Sequence, residues 1–338
     1  MPDTALAALT TLRIGGPARR LVEASTEQEL VAAVRGADAP LLVLAGGSNV
    51  VIADEGFPGT VVHVATRGVE RDDGRLVVQA GEPWEPLVER TVAAGLQGFE
   101  CLSGIPGSTG ATPIQNVGAY GQEVAETVEW VRVLDRERDV VEELPAAACG
   151  FGYRSSAFKH RDRWVVLAVA FRLRRAPHSG PVRYAELARA LDVPVGATAP
   201  LADVRAAVLA LRRRKGMVVD PADPDSVSVG SFFTNPILTA EGFAALAARA
   251  GEGPPAWPEP DGRVKTSAAW LIERAGFHRG YGNGHARISR KHTLALVNAG
   301  GASAAELVGL ASEIAAGVRD RFGVEMIPEP VLVGVSLR

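Results

Sequence analysis

Apolar and polar residues over the first 65 positions alternate between helix-like and strand-like spacing. Residues 26–29 read Thr-Glu-Gln-Glu, a capping box, and the apolar residues after them recur at helical spacing until Gly36. Short apolar runs at 41–44, 50–52 and 61–64 predict strands. This part of the chain therefore predicts one unit of strand, helix, strand, turn and strand, closed by the strand at 61–64.

From about residue 66 the pattern changes to short strands with one or two helices. A strand is predicted at 76–80, and a helix at 83–94 that begins with proline and is followed by glycine. Residues 128–134 and 140–144 predict a hairpin around a charged loop. Residues 165–173 are almost continuously apolar, so we expect a central strand buried on both faces.

The last third of the chain is dominated by helical patterns. A helix at 202–213 precedes this part, and further helices are predicted after Thr239 and at 267–275. A second capping box at 303–306 opens a long helix with one apolar face, and a final strand is predicted at 331–335. Together these patterns predict an α+β fold.

The domain boundaries are predicted from the places where the pattern changes. Residues 1–65 form a first subdomain and residues 66–217 a second, and the tail 324–338 is expected to return to the part of the protein formed by residues 1–217. Residues 218–323 form a third domain.

Composition excludes several classes of protein. The 338 residues are 47% hydrophobic and 22% charged, which excludes a largely disordered chain. The two cysteines, Cys101 and Cys149, form no C-x-x-C pair, so a disulfide scaffold is excluded. A net charge of −3 gives no reason to expect a nucleic-acid partner, and no apolar run approaches the roughly 20 residues that span a membrane. The N-terminus lacks the pattern of a signal peptide, so we expect a soluble cytoplasmic enzyme without a membrane partner.

Two glycine-rich segments are candidates for binding phosphate groups, although neither is a Rossmann or P-loop motif. The first, at 46–49, lies between two predicted strands and is by itself more typical of a structural turn. The second, at 101–122, contains five glycines and several hydroxyl side chains, but no charged residue. Such a segment allows the backbone to approach a large ligand closely, and long irregular segments in compact domains are usually functional.

Seven motifs in fixed order now identify the family that the chain resembles. They are TLRIGG at 11–16, LAGGSNVVI at 44–52, SGIPGSTGATPIQNVGAYG at 103–121, GYRSSAFK at 152–159, GSFFTNP at 230–236, KTSAAWLIERAG at 265–276 and IPEPVLVG at 327–334. The chain resembles the family of UDP-N-acetylenolpyruvoylglucosamine reductases, flavoenzymes that make UDP-N-acetylmuramate for peptidoglycan and so serve cell shape and division.

The resemblance implies two FAD-binding subdomains of the vanillyl-alcohol-oxidase (PCMH-type) fold, followed by an α+β substrate-binding domain. It implies FAD, bound non-covalently, and NADPH as cofactors. One of the three consecutive arginines at 212–214 is expected at the flavin N1–C2 edge, and Arg214 is taken as that residue. The residues implied to bind the cofactor are Gly46, Gly47, Ser48, Asn49, Val50, Ser103, Gly104, Ile105, Pro106, Gly107, Ser108, Thr109, Gly110, Gln115, Asn116, Gly118, Ala119, Tyr120, Gly121 and Arg214.

The reaction implied is reduction of the enolpyruvyl double bond of UDP-N-acetylglucosamine enolpyruvate. Hydride passes from NADPH to flavin N5 and then to C3 of the substrate, while a proton is added to C2. Arg154 is implied to grip the substrate carboxylate, Ser231 to give the proton, and Glu329 to be the catalytic glutamate. Glu329 is flanked by prolines where the family usually has Leu-Glu-Pro-Glu-Val, with Glu325 as an alternative that lies too far upstream.

The substrate's phosphates and sugar are assigned to a smaller set of residues. Tyr184 resembles the mobile tyrosine of the family's first type, Lys215 is assigned to a diphosphate, and Asn235 and His292 to other substrate contacts. The segment at 216–230 is longer than that type leads us to expect. We expect no metal site and a monomer.

Two alternative functions remain open from the residues alone. An FAD oxidase of the same fold would need no carboxylate-gripping arginine or proton donor, and the chain lacks a histidine or cysteine in a covalent flavin-attachment context. A non-catalytic module that binds nucleotide sugars would be colourless when purified.

Overall fold

The computed structural model describes residues 5–282 and 284–337, which form two compact units. The first unit contains Ala18–Gly47 and Phe57–Val218. The second contains Ala5–Pro17, Ser48–Gly56 and the residues from 219 onward. The chain therefore passes from the first unit to the second inside the predicted glycine-rich turn.

The described residues contain both helices and strands, as the α+β prediction requires. The α-helices are α1 (Glu27–Arg35), α2 (Trp84–Ala93), α3 (Ala185–Ala190), α4 (Leu201–Arg214), α5 (Ala240–Ala250), α6 (Ala268–Arg274) and α7 (Ala304–Phe322). The strands are β1 (Ala18–Ala24), β2 (Leu41–Leu44), β3 (Val50–Ile52), β4 (Phe57–Val64), β5 (Val69–Asp72), β6 (Arg75–Gln79), β7 (Leu96–Gln97), β8 (Gly118–Ala119), β9 (Gln122–Glu123), β10 (Val128–Asp135), β11 (Val140–Pro145), β12 (Trp164–Arg172), β13 (Arg174–Arg175), β14 (Ser228–Ser231), β15 (Ile237–Leu238), β16 (Trp257–Pro258), β17 (Val264–Lys265), β18 (Ala286–Ile288), β19 (Ala295–Asn298) and β20 (Val331–Val333).

The first unit is built on two main sheets, accompanied by the two-stranded pairs β13-β7 and β8-β9. Strands β1, β4 and β2 form a parallel sheet, and β11, β10, β12, β6 and β5 form an antiparallel one in that order. Strand β12 is central and buried from Val165 to Phe171, which confirms the predicted buried strand. Trp84, Phe99 and Phe171 pack together in the core of the first unit, with ring centroids 4.7–6.1 Å apart.

The second unit contains the antiparallel sheet β14-β19-β18 and the long helix α7. Helix α7 begins at the predicted capping box of Ser303 and Glu306 and ends before Gly323, which is left-handed at φ 69°. Its apolar face is buried in the core of the unit, which also contains Phe232 and Phe233. The amphipathic pattern is therefore confirmed.

The tail strand β20 is shorter than predicted and pairs in parallel with β3. It returns to residues that the sequence assigned to the first subdomain, and both strands lie in the second unit. The division of residues 1–217 into two FAD-binding subdomains stays a prediction. Helix α3 and several short strands, among them β18 and β19, were not predicted. Along the described residues, no helix is both long and apolar enough to cross a membrane.

Candidate active site

The two glycine-rich segments contact each other where Gly46 meets Gly107. A Cβ at Gly46 would lie 2.7 Å from the Cα of Gly107, so only glycine fits. Gly107 O accepts a hydrogen bond from the Trp84 backbone N–H, at 3.0 Å, and Gly110 N–H donates to Ala80 O at 2.8 Å. The backbone of the second predicted ligand-binding segment is therefore fixed to the start of α2 and to the residue that follows β6.

Most hydroxyl side chains of the second segment are used inside the protein. The hydroxyls of Ser103, Thr109 and Thr112 donate to the backbone carbonyls of Glu100, Glu82 and Thr109, at 2.8–3.0 Å. All three side chains are buried. These three hydroxyls donate inside the protein, so the backbone N–H groups are the donors of the segment that remain for a ligand, in agreement with the predicted close approach of the backbone.

Asn116 also has a structural role in this segment. Its amide donates to the Glu123 carboxylate at 2.7 Å and to Gly152 O at 3.1 Å, and its Oδ1 accepts from Ala125 N–H. The residue is 1% exposed and left-handed, with φ of 46°. Its side chain fixes a sharp bend, so any cofactor contact would come from its backbone or its neighbours.

Arg154 lies against the end of the same segment. Its Nη2 donates to Gly118 O at 2.6 Å and its Nη1 to Asn116 O at 3.4 Å. A Cβ at Gly118 would lie 2.9 Å from Nη1, so a glycine is needed there for the guanidinium to fit. The structure thus brings the predicted carboxylate-binding arginine to the predicted cofactor segment.

Tyr120, Tyr184 and Lys215 come together in what we call the tyrosine–lysine cluster. The two rings meet edge to face with centroids 5.5 Å apart, and Lys215 Nζ lies 5.9 Å from the centre of the Tyr120 ring. Burial raises the pKa of Tyr120 to about 12, so its phenol stays a neutral hydrogen-bond donor. Tyr184 is 46% exposed and precedes α3 directly, which places it where a ligand can reach it.

The arginines at the end of α4 differ in their surroundings. Arg214, the predicted flavin-edge arginine, is exposed. Arg212 is packed beside the second glycine segment: its Nε would lie 3.3 Å from a Cβ at Gly104. Its Nη2 donates to Met217 O at 2.7 Å, and burial lowers its pKa. The sequence contained a signal for this difference, because Arg212 follows the buried Val208 by one helical turn.

Ser231 ends strand β14 just after an irregularity in the pairing with β19. Ser228 faces Val297 and Ser231 faces Ala295, so the β14 side has one extra residue. Gly230 is left-handed with φ of 76°, as in a bulge whose extra residue is glycine. Bulges of this kind turn the next side chain out of the regular alternation, and within the described residues no protein group hydrogen-bonds the Ser231 hydroxyl.

Glu329 lies beside Ser231 in the second unit. Its backbone N–H donates to Phe232 O at 2.8 Å, and Thr234 N–H donates to Ile327 O at 3.1 Å. Asn49 fixes the same segment, because its Nδ2 donates to Glu329 O at 3.3 Å and its O accepts from Val331 N–H at 3.0 Å. The structure therefore brings together the backbone segments that carry two residues predicted as catalytic, and Asn49, predicted to bind the cofactor, holds one of these segments.

Asn235 and His292 lie on two further segments of the second unit. Asn235 Oδ1 accepts from Ala268 N–H at 3.0 Å and caps α6, which leaves its amide NH₂ as the group that can donate to a ligand. His292 lies in the turn between β18 and β19, and its carbonyl accepts from Ala295 N–H at 3.1 Å. No three histidine, cysteine or acidic side chains of residues 5–282 and 284–337 are grouped as metal ligands are.

The residues of the first unit fit a large anionic cofactor. The contact of Gly46 with Gly107 leaves a bare backbone surface, and the partly unpaired guanidinium of Arg212 lies beside the same segment. A nucleotide with a negatively charged diphosphate suits N–H donors and a buried cation. The fit therefore supports FAD on this segment.

Comparison with known proteins agrees with this arrangement. Residues 18–142 match the FAD binding domain family, and residues 221–333 match the C-terminal domain of UDP-N-acetylenolpyruvoylglucosamine reductase. The reductase of Thermobifida fusca is 57% identical over 346 residues, covering 98% of this chain and 97% of its own. That of Salinispora arenicola is 59% identical over 345 residues, covering 98% and 95%.

A solved structure has the same fold. The crystal structure of the reductase from Thermus caldophilus has a TM-score of 0.68 and 27% identity, and the match covers 98% of both chains. The α+β fold with an FAD-binding part is therefore confirmed, and the interpretation as a non-catalytic module is excluded. The chain belongs to the UDP-N-acetylenolpyruvoylglucosamine reductase family of FAD-dependent oxidoreductases.

Proposed function

We propose that Arg154, Ser231 and Glu329 carry out the FAD-dependent reduction of UDP-N-acetylglucosamine enolpyruvate in peptidoglycan synthesis, with NADPH as the reductant. The observation that carries the proposal is the hydrogen bond from Glu329 N–H to Phe232 O, which holds the backbone of the glutamate against the residue that follows Ser231. A hydroxyl and a carboxyl that serve the same site can pass a proton to a carbon that has become basic.

The cofactor would be held by the backbone of the two glycine segments and by Arg212. When bound, FAD would supply the hydride chemistry that links NADPH to C3 of the enolpyruvyl group. The protein's part is to orient the substrate, exclude water and supply the proton at C2. Since the nucleotide sugar and NADPH are cytoplasmic compounds, we also propose a cytoplasmic location, and a monomer.

Arg154 binds the substrate carboxylate in this account. Hydride addition at C3 leaves negative charge at C2 that spreads into the carboxylate, and a planar guanidinium can donate to both of its oxygens. Because Gly118 O and Asn116 O already fix two of its nitrogens, the charge is in place before the reaction begins.

Ser231 gives its proton to C2, and Glu329 supports it. A hydroxyl is a weak acid, so a neighbour must stabilise the alkoxide or return a proton to it. A carboxyl next to the substrate carboxylate is favoured in its protonated form, and in that form it is a donor. The left-handed Gly230 gives Ser231 its orientation for this role.

The remaining ligand contacts are assigned from the resemblance to the family. Tyr184 and Lys215 of the tyrosine–lysine cluster bind the diphosphate, and the Asn235 amide and His292 bind other parts of the substrate. These assignments are supported by the resemblance, by the exposure of Tyr184 and by the single structural hydrogen bond of Asn235 Oδ1.

The proposed function is tested by measuring whether the consumption of NADPH depends on the enolpyruvyl sugar. Consumption of NADPH that does not need this sugar would overturn the proposal.

We expect Arg212→Lys to weaken FAD binding by about tenfold or more, because a partly buried guanidinium contributes on the order of 1.5–3 kcal/mol per charged hydrogen bond. Arg214→Lys is the matched control, an exposed residue of the same run, and should change the affinity little. The dissociation constant of FAD, measured on apoprotein by quenching of flavin fluorescence, checks the result. A larger loss in the Arg214 variant would restore Arg214 as the cofactor residue.

A further inference from the structure

The ammonium of Lys215 is already bound to a carboxylate. Its Nζ lies 2.6 Å from Glu186 Oε2, and the side chains are 28% and 32% exposed. At this depth an ion pair is partly shielded from water and stronger than a fully exposed one. The positive charge assigned to a diphosphate is therefore neutralised in the ligand-free protein.

Glu186 belongs to the same turn of chain as the tyrosine of the cluster. Tyr184 precedes α3 directly, and Glu186 is the second residue of that helix. The Tyr184 ring packs on Tyr120, while Glu186 holds Lys215 at the end of α4. Residues 184–186 therefore carry both the tyrosine ring that is assigned to the ligand and the carboxylate that pairs with Lys215, the cation assigned to the same ligand.

We propose that Glu186 sets the affinity of the enzyme for diphosphate ligands by competing for Lys215. The inference rests on the proposed function of Lys215. A phosphate oxygen that approaches the Lys215 ammonium is repelled by the Glu186 carboxylate, which has the same charge. It must displace this carboxylate or share the three N–H donors of the ammonium with it. Displacement breaks the ion pair between α3 and α4, so binding frees the turn that carries Tyr184.

The test measures UDP binding to the FAD-loaded enzyme by isothermal titration calorimetry. Glu186→Gln removes the charge but keeps the size, and should tighten UDP binding by about three- to tenfold, the worth of a partly exposed ion pair. Glu186→Asp should bind UDP close to the wild-type affinity. Glu143→Gln, which makes the same charge change at a carboxylate paired with Arg132 on β10, is the control and should have no effect.

If Glu186→Gln damaged the fold, it would weaken UDP binding, whereas competition for Lys215 predicts tighter UDP binding. The gain should shrink as salt is raised, and KM for the nucleotide sugar should fall more than kcat changes. In a Lys215→Met background, Glu186→Gln should have no effect on UDP affinity.

Unchanged or weaker UDP binding in Glu186→Gln would overturn the inference while leaving the proposed function intact. If Lys215→Met alone leaves UDP affinity unchanged, the ligand-binding role of Lys215 fails first, and the competition at Glu186 fails with it.

Discussion

Ser231→Ala should slow reoxidation of the reduced flavin by the enolpyruvyl sugar by roughly 10²–10⁴-fold, the usual contribution of a positioned acid. The substitution removes one hydroxyl that no described protein group binds, so the fold and FAD binding should survive. Reduction of the flavin by NADPH needs no proton from Ser231 and should proceed at nearly the wild-type rate. Stopped-flow absorbance at the flavin band measures the two half-reactions separately.

The control for this variant is Ser25→Ala, the same truncation at an exposed serine of the first unit, which should leave both half-reactions unchanged. Reoxidation in Ser231→Ala within about threefold of wild type, below the range of a general acid, would remove Ser231 from the proton-donor role.

Arg154→Lys should lower the rate of the second half-reaction by about 10²-fold or more, the cost of losing one preorganised donor to a developing charge. A lysine keeps the positive charge but cannot donate to two carboxylate oxygens in one plane. It also cannot reach Gly118 O and a ligand with the same geometry. Flavin reduction by NADPH should change far less, because that step involves no substrate carboxylate.

Arg172→Lys provides the comparison, since Arg172 is an arginine of the first unit that pairs with Glu129 on the large sheet. It should leave both half-reactions near their wild-type rates. Equal losses in the two half-reactions of Arg154→Lys, together with weaker FAD binding, would indicate that Arg154 only supports the Gly118 bend.

Much of the fold could be predicted because the decisive signals are local. The capping boxes at Thr26 and Ser303 satisfy the first backbone N–H groups of α1 and α7, and both form as the sequence indicates. Strand β12 was recognised by its unbroken apolar run, which only a central strand can bury on both faces.

The features that could not be predicted depend on tertiary contacts. Helix α3 has six residues and no side-chain cap, so its stability comes from the burial of Leu187 and Ala188 rather than from its pattern. The hydroxyls of Ser103 and Thr109 could equally have faced a ligand, and only the position of nearby carbonyls turns them inward.

In the candidate site, too, the features that depend on tertiary contacts could not be predicted from the sequence. Resemblance supplied Ser231 and Glu329, but the bulge at Gly230 depends on the register between β14 and β19, which are joined through a long stretch of chain. The pairing of Lys215 with Glu186 was likewise hidden, since 29 residues separate them.

The central claim is that electrons pass through this protein's flavin from NADPH to the enolpyruvyl sugar. The most direct test follows the visible spectrum of the purified protein under anaerobic conditions. We expect a yellow protein that NADPH bleaches and that stoichiometric UDP-N-acetylglucosamine enolpyruvate restores, with formation of UDP-N-acetylmuramate. A colourless protein, or a bleached flavin that recovers its colour with oxygen but not with the enolpyruvyl sugar, would contradict the account.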